Sequence, residues 1–313
     1  MKKVIMKYKK SELDLFLQER IRENKEELSR NLEATLQDEQ NCLEEIVKGI
    51  KHCKSNIEKC NKALEKASIS NMAVWNAKKG AFKDNLVIWN NLGLIQMASI
   101  EIKRYTKVLS SDVDEWIIYD AIKSVYTAIY ETSKKLVDST GKLMKFVNSE
   151  FPSYEISLFK DVRKELTKFR EGNKDSLTSV RNKIDAHRDE DVCTQINTTE
   201  NLHLADAIQL IVEYERIINE LGSVVSPMKR LGILRLESVF GKTKNQIYLK
   251  TSFKYLLNKK LDCHDPNSYS NLLIFMYFSS SLSGKAKMVG KKNAVDMGTY
   301  RVAYFSILFY NNC

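Results

Sequence analysis

Prolines and glycines are nearly absent from the first half of the chain. No proline occurs before Pro152, and the first glycine is Gly49. Because these two residue types most often interrupt or end a helix, their absence favours long, continuous helices. The whole chain of 313 residues has three prolines and 11 glycines, too few for a protein built from many short strands. We therefore expect a mainly α fold.

A regular apolar pattern marks the N-terminal part of the chain, which we assign to residues 1–70. Apolar residues and cysteines recur at alternating steps of three and four, at Leu43, Ile46, Ile50, Cys53, Ile57, Cys60 and Leu64. This spacing is typical of a coiled coil or of a helix that packs along a partner helix. We expect a long, coiled-coil-like helical arm in which Cys53 and Cys60 are small core residues and not metal ligands.

The middle of the chain, residues 71–225, contains further helix patterns. We expect helical sequence over 72–109 with interruptions near Gly80 and Gly93, and an N-cap within 110–112 for the next helix. That helix should end near Gly141 or Asn148. Shorter helices are predicted over 152–172, 176–187 and 198–222. Together these elements predict a helical bundle.

The remaining residues, 226–313, form a basic and aromatic C-terminal module in this interpretation. Residues 241–313 hold 11 basic and three acidic side chains, a net charge of +8 in a chain whose total is +10, and 12 of the 29 aromatic residues. Two apolar runs, 272–278 and 300–310, resemble strands of a β-hairpin. The composition favours single-stranded RNA binding, with phosphate contacts from Lys285, Lys287, Lys291 and Lys292. A solvated basic surface is the alternative.

One short segment has residue types suited to cleaving RNA. Arg181 is followed by the polar Asn182, and His187 comes six positions after the arginine. RNA provides its own nucleophile, the 2′-hydroxyl, so that a histidine titrating near neutrality could remove the proton. An arginine could stabilise the charge that develops on the phosphate. Asn182 would orient the phosphate or the imidazole. These roles require neither a metal ion nor another cofactor.

The Arg181-Asn182 pair followed by His187 resembles the motif of the HEPN superfamily. The sequence of this segment is most similar to that of abortive-infection members. Many HEPN proteins are metal-independent ribonucleases of toxin–antitoxin, abortive-infection and CRISPR systems. The resemblance extends over about residues 86–222 and implies a HEPN-like bundle within 71–225, an RNA substrate, and a homodimer whose two motifs meet in one cleft. It also implies a protein antitoxin as a further partner. Asp189 departs from toxins that have a tyrosine two positions after the histidine.

Two other interpretations stay open. Arg181 and Asp185 have the spacing of an ordinary ion pair on a helix surface. If Arg181 has only this structural role, the chain could be a non-enzymatic dimeric adaptor that binds protein or nucleic acid. It could also be a coiled-coil structural protein whose basic end contacts membranes or nucleic acid. No apolar run is long enough to span a bilayer. With no signal-peptide pattern and no regular cysteine framework, we expect a cytoplasmic protein.

The charge asymmetry leads to a test of the C-terminal module. Replacing Lys285, Lys287, Lys291 and Lys292 with glutamate should weaken RNA binding and reduce its salt dependence, by a slope of roughly 0.7 for each phosphate that the variant no longer binds. Affinity measured at several salt concentrations for both proteins provides the comparison. An unchanged slope would mean that these lysines only keep the module soluble.

Overall fold

The computed structural model describes residues 12–111, 113–182, 193 and 201–240, and within these ranges the chain forms helices and no strand. The helices are α1 Glu12–Glu23, α2 Lys25–Leu64, α3 Ile69–Leu109, α4 Glu115–Glu150, α5 Ser157–Gly172, α6 Lys174–Val180, α7 Leu204–Val225 and α8 Lys229–Phe240, with a 3₁₀ turn at Ser226–Met228. The mainly α fold is confirmed. The expected hairpin lies outside the described residues, and the three-part division of the chain stays a prediction.

The two longest helices, α2 and α3, form an antiparallel pair. Their 40 and 41 residues would each extend for about 60 Å. Residues further along α2 contact residues earlier in α3, which shows the antiparallel direction. The contacting pairs are Glu33 with Lys107, Glu39 with Lys103, and Gly49 with Trp89. The apolar face predicted for residues 43–64 packs against this partner, and Ile46, Cys53 and Cys60 are all buried. The predicted pairing of the N-terminal arm and the core position of both cysteines are therefore confirmed, and burial raises the pKa of the Cys53 thiol to about 12.

Two local expectations were wrong. The helix α3 continues through Gly80 and Gly93, because a helical glycine costs only about 1 kcal/mol and the packing of α2 on α3 outweighs that cost. The cap of α4 is Asp114 rather than a residue of 110–112; its Oδ1 accepts a hydrogen bond from the Trp116 backbone N–H at 2.9 Å. The predicted end of this helix near Asn148 is confirmed, because the helix passes Gly141 and ends at Glu150.

Around the α2–α3 pair the remaining helices complete one packed arrangement. Helix α3 contacts α4, α7 and α8 as well as α2, while α4 contacts α5, α6 and α7. Helix α1 returns to the start of α7, where the buried Asp14 accepts a hydrogen bond from the Ala205 backbone N–H at 2.9 Å. The second Asp14 oxygen lies 3.1 Å from His203 Nδ1. The carboxylate thus satisfies a backbone N–H at a helix N-terminus where the N-cap residue, His203, makes no side-chain cap hydrogen bond.

A fully buried ionic cluster joins α2, α3 and α7. The Lys103 ammonium lies 2.7 Å from Glu39 Oε1 and 3.5 Å from Glu215 Oε1, and it donates to Ser99 Oγ at 2.7 Å. Burial raises the pKa of Glu39. Burial alone would lower the pKa of Lys103, but the Glu215 and Glu39 carboxylates outweigh it, so that the pKa of Lys103 lies above its ordinary value. The cluster therefore depends on a charged lysine.

Close contact at Gly49 leads to a stability prediction. A Cβ at this position would lie 2.7 Å from the Trp89 ring, so Gly49→Ala must displace the indole and should destabilise the protein by about 1–3 kcal/mol. Gly80→Ala is the matched control, because a Cβ there meets nothing within 4 Å and the change should stabilise α3 by about 0.5–1 kcal/mol. Chemical denaturation of the three proteins measures both effects. Equal responses of the two variants would contradict the close α2–α3 packing.

The buried lysine gives a second stability prediction. Lys103→Met leaves two buried carboxylates without their cation and should cost about 3–5 kcal/mol of unfolding free energy. Lys107→Met, one turn further along α3, removes an ion pair with Glu33 in which both side chains are largely exposed, and should leave stability unchanged within error. Denaturant midpoints and slopes for both variants make the comparison. A small effect at Lys103 would show that the cluster contributes little to stability.

Candidate functional site

The described part of the predicted catalytic motif lies at the end of α6. This short helix is anchored by Leu177 and Val180, both buried in the core. The helical backbone continues into Arg181, whose side chain lies against α4.

Among the described residues, three side chains contact Arg181 in this position. Its Nε donates to Glu131 Oε1 at 3.0 Å, and its Nη1 donates to Asn182 Oδ1 at 3.0 Å. The guanidinium carbon also lies 5.2 Å from the centre of the Tyr130 ring, the geometry of a cation–π contact. Glu131 and Tyr130 belong to α4, so that this helix positions the arginine.

The arrangement holds a cation at the surface without burying it. Arg181 exposes 26% of its side chain and Glu131 exposes 36%, so water still reaches both groups. The ion pair is weak at such exposure, typically about 0–1 kcal/mol. A guanidinium offers two parallel N–H groups that suit a phosphate. Because Arg181 is only lightly held, it could exchange its Glu131 contact for a phosphate oxygen.

The structure brings together some of the predicted site residues. Arg181 and Asn182 lie side by side, and Asn182 is exposed. His187 lies outside the described residues, and so do Lys285, Lys287, Lys291 and Lys292. The predicted roles of these five residues therefore stay predictions.

Two partners of Arg181 were not identified from the sequence. Glu131 and Tyr130 precede the motif by about 50 residues, and no local spacing links them to it. The periodicity of α4 does contain a partial signal, because buried residues such as Val125 and Ile129 alternate with an outward face that includes Glu131. That signal shows which residues face outward and does not show that Arg181 packs on them.

Comparisons with known proteins yield no match among protein-family models, curated proteins or solved structures. In the described ranges, no group of three or more His, Cys, Asp or Glu side chains has the arrangement of a metal site. No described helix has both the length and the apolar character needed to cross a membrane.

Proposed function

We propose that this chain is a metal-independent endoribonuclease of a defence or toxin system that acts in the cytoplasm as a homodimer. The observation that supports the proposal most directly is the placement of Arg181. A solvent-accessible guanidinium stands at the end of α6 beside the polar Asn182, and the sequence places His187 six positions further on. The chain therefore has both a phosphate-binding cation and a general base within one short segment.

In the proposed reaction the 2′-hydroxyl of RNA attacks the adjacent phosphorus. His187 takes the 2′ proton as general base, the bond from phosphorus to the 5′ oxygen breaks, and the leaving oxygen takes a proton from water. The products are a 2′,3′-cyclic phosphate and a free 5′-hydroxyl. Arg181 stabilises the additional negative charge that develops on the phosphate oxygens during the attack.

Asn182 acts as a positioning residue in this proposal, because its side chain accepts from Nη1 of Arg181. The Glu131 carboxylate accepts from Nε and holds the guanidinium until a phosphate oxygen replaces it. Tyr130 supports the arginine from its ring face. The basic C-terminal module would increase affinity for RNA, and a protein antitoxin would control the activity in the cell.

A cleavage assay tests the proposed chemistry. His187→Ala and Arg181→Ala should each abolish cleavage of RNA in the presence of a metal chelator, since the first removes the general base and the second removes the charge stabilisation. Arg181→Ala should remain folded, because the side chain is partly exposed and its ion pair is weak. Product analysis should identify 2′,3′-cyclic phosphate ends.

A matched substrate and a matched variant serve as controls. RNA with a single 2′-deoxynucleotide should resist cleavage at that nucleotide, because the nucleophile is missing. Arg170→Ala removes another arginine that is ion-paired at the end of a helix, here with Glu171, and should leave cleavage unchanged. A wild-type protein that requires added metal, or full activity in either site variant, would refute the mechanism.

The Arg181–Glu131 ion pair also fits a second candidate, a dimeric helical adaptor without enzymatic activity. In that case the pair would only fasten α6 to α4, as surface ion pairs commonly do. The same assay separates the two candidates, because an adaptor would cleave no RNA under any of these conditions.

A further inference from the structure

Charge is unevenly distributed along α2 and the turn that follows it. Residues 25–45 contain seven acidic and two basic side chains, whereas residues 46–66 contain six basic and two acidic ones. The exposed Lys51, Lys59 and Lys62 lie opposite Cys53 and Cys60, on the face of the helix that points away from α3. The positive charge is therefore concentrated at the C-terminal end of α2 and directed to solvent.

These lysines lead to the turn between α2 and α3. We define the hairpin tip as residues 59–79, which include the end of α2, the turn and the start of α3. Cys60 is the one buried residue in this range, so most of the tip is open to solvent. Five lysines and one glutamate give the tip a net charge of +4. The lysines are Lys59, Lys62, Lys66, Lys78 and Lys79.

The positive charge of the hairpin tip is not compensated locally. In the described part of the chain, no carboxylate lies within ion-pair distance of any of the five lysines. Burial lowers the pKa of the nearby His52, and the charge of Lys59 lowers it further. Burial raises the pKa of the Cys60 thiol, and the charges of Lys78 and Lys79 oppose that rise. The tip is therefore suited to an anionic partner.

Large apolar side chains are exposed among these charges. Ile69 is 91% exposed, and Met72 and Val74 are 42% and 48% exposed. The one aromatic ring of the hairpin tip, Trp75, is only partly exposed, and the Lys78 ammonium lies 4.5 Å from its centre. Proteins that bind single-stranded nucleic acid stack bases on exposed aromatic rings. Exposed aliphatic side chains beside lysines instead favour the surface of an anionic lipid bilayer.

We propose that the hairpin tip docks on a membrane surface that contains anionic phospholipids. Lys59, Lys62 and Lys66 would lie at the lipid headgroups, and Ile69 and Met72 would enter the boundary between headgroups and acyl chains. The lysines supply electrostatic attraction, and burial of the two apolar side chains strengthens it. This docking requires no spanning helix and is independent of the proposed nuclease reaction.

The direction of the helices keeps the Arg181 site away from the hairpin tip. Arg235 pairs with Asp84 of α3 and with Glu150 at the end of α4, so that end of α4 lies beside the first half of α3. Glu131 precedes Glu150 by 19 positions and lies about 28 Å further from the tip along α4. A chain docked through its tip would therefore leave Arg181 accessible to RNA.

Flotation of the full chain with lipid vesicles tests the proposal. Wild type should bind vesicles of phosphatidylcholine with about 30% phosphatidylserine, and should not bind phosphatidylcholine alone. Added salt should weaken the binding, because it screens exposed charges. Replacing Lys59, Lys62 and Lys66 with glutamate should reduce partitioning onto the anionic vesicles by roughly tenfold or more.

A matched variant controls for net charge. It replaces Lys135, Lys142 and Lys145, three exposed lysines of α4, with glutamate and should bind the anionic vesicles as well as wild type does. Equal losses in the two triple variants would overturn the proposal, because net charge would then explain the binding. Circular dichroism checks that both variants keep their helical content.

The apolar contribution has its own variant. Ile69→Ser combined with Met72→Ser keeps every lysine and should weaken binding to the anionic vesicles roughly fivefold or more. Leu158→Ser is the control, because Leu158 is 63% exposed near the start of α5 and lies outside the tip; it should leave binding unchanged. Binding by the double variant that equals wild type would refute insertion of these side chains.

RNA affinity measured for the same proteins separates lipid from nucleic acid. A wild-type protein that does not bind the anionic vesicles, or a tip lysine variant that binds them as well as wild type, would overturn the proposal. Loss of RNA affinity in the tip lysine variant with unchanged vesicle binding would identify the tip as a nucleic-acid surface instead. Because no arm of the experiment measures cleavage, failure of the nuclease proposal would leave this result unaffected.

Discussion

The ammonium of Lys103 is the group on which the packing of the long helices depends. It lies between carboxylates from α2 and α7, and all three side chains are buried. Removing a charge from water costs several kcal/mol, so the cluster is stable only when the three helices bring their charges within contact. A shift of α2 by one turn along α3 would leave Glu39 without its cation. The ionic cluster therefore restricts the register of the helix pair more strictly than apolar contacts alone.

The candidate site is held differently. Arg181 rests on Tyr130 and pairs with Glu131 at a surface that water reaches, where such contacts are weak. The rigid part lies beneath it, in the buried Leu177 and Val180 that fix α6 against the bundle. A weakly held guanidinium on a rigid base can change partners without disturbing the fold. This combination suits a residue that must bind a phosphate and then release it.

Helix α4 connects the core to this surface. Its inner face contributes Ile122, Val125 and Ile129 to the core, and its outer face contains Glu131, the partner of Arg181. Helix α1 supports the other side of the motif, because Asp14 caps the start of α7, the helix that follows the segment with His187. The helices that precede and follow that segment are thus both packed into the bundle.

Periodicity in the sequence was sufficient to predict the helical fold, the buried seam of α2 and the core position of Cys53 and Cys60, because the spacing of apolar residues alone decides which face of a helix is buried. The sequence also singled out Arg181 and Asn182. It did not identify Glu131 as the partner of Arg181, Glu39 and Glu215 as the partners of Lys103, or Asp14 as the cap of α7. These pairs join residues separated by 50 to 191 positions. Only the tertiary structure decided them, because a polar side chain is satisfied by whichever helix packs beside it, and local spacing contains no information about that neighbour.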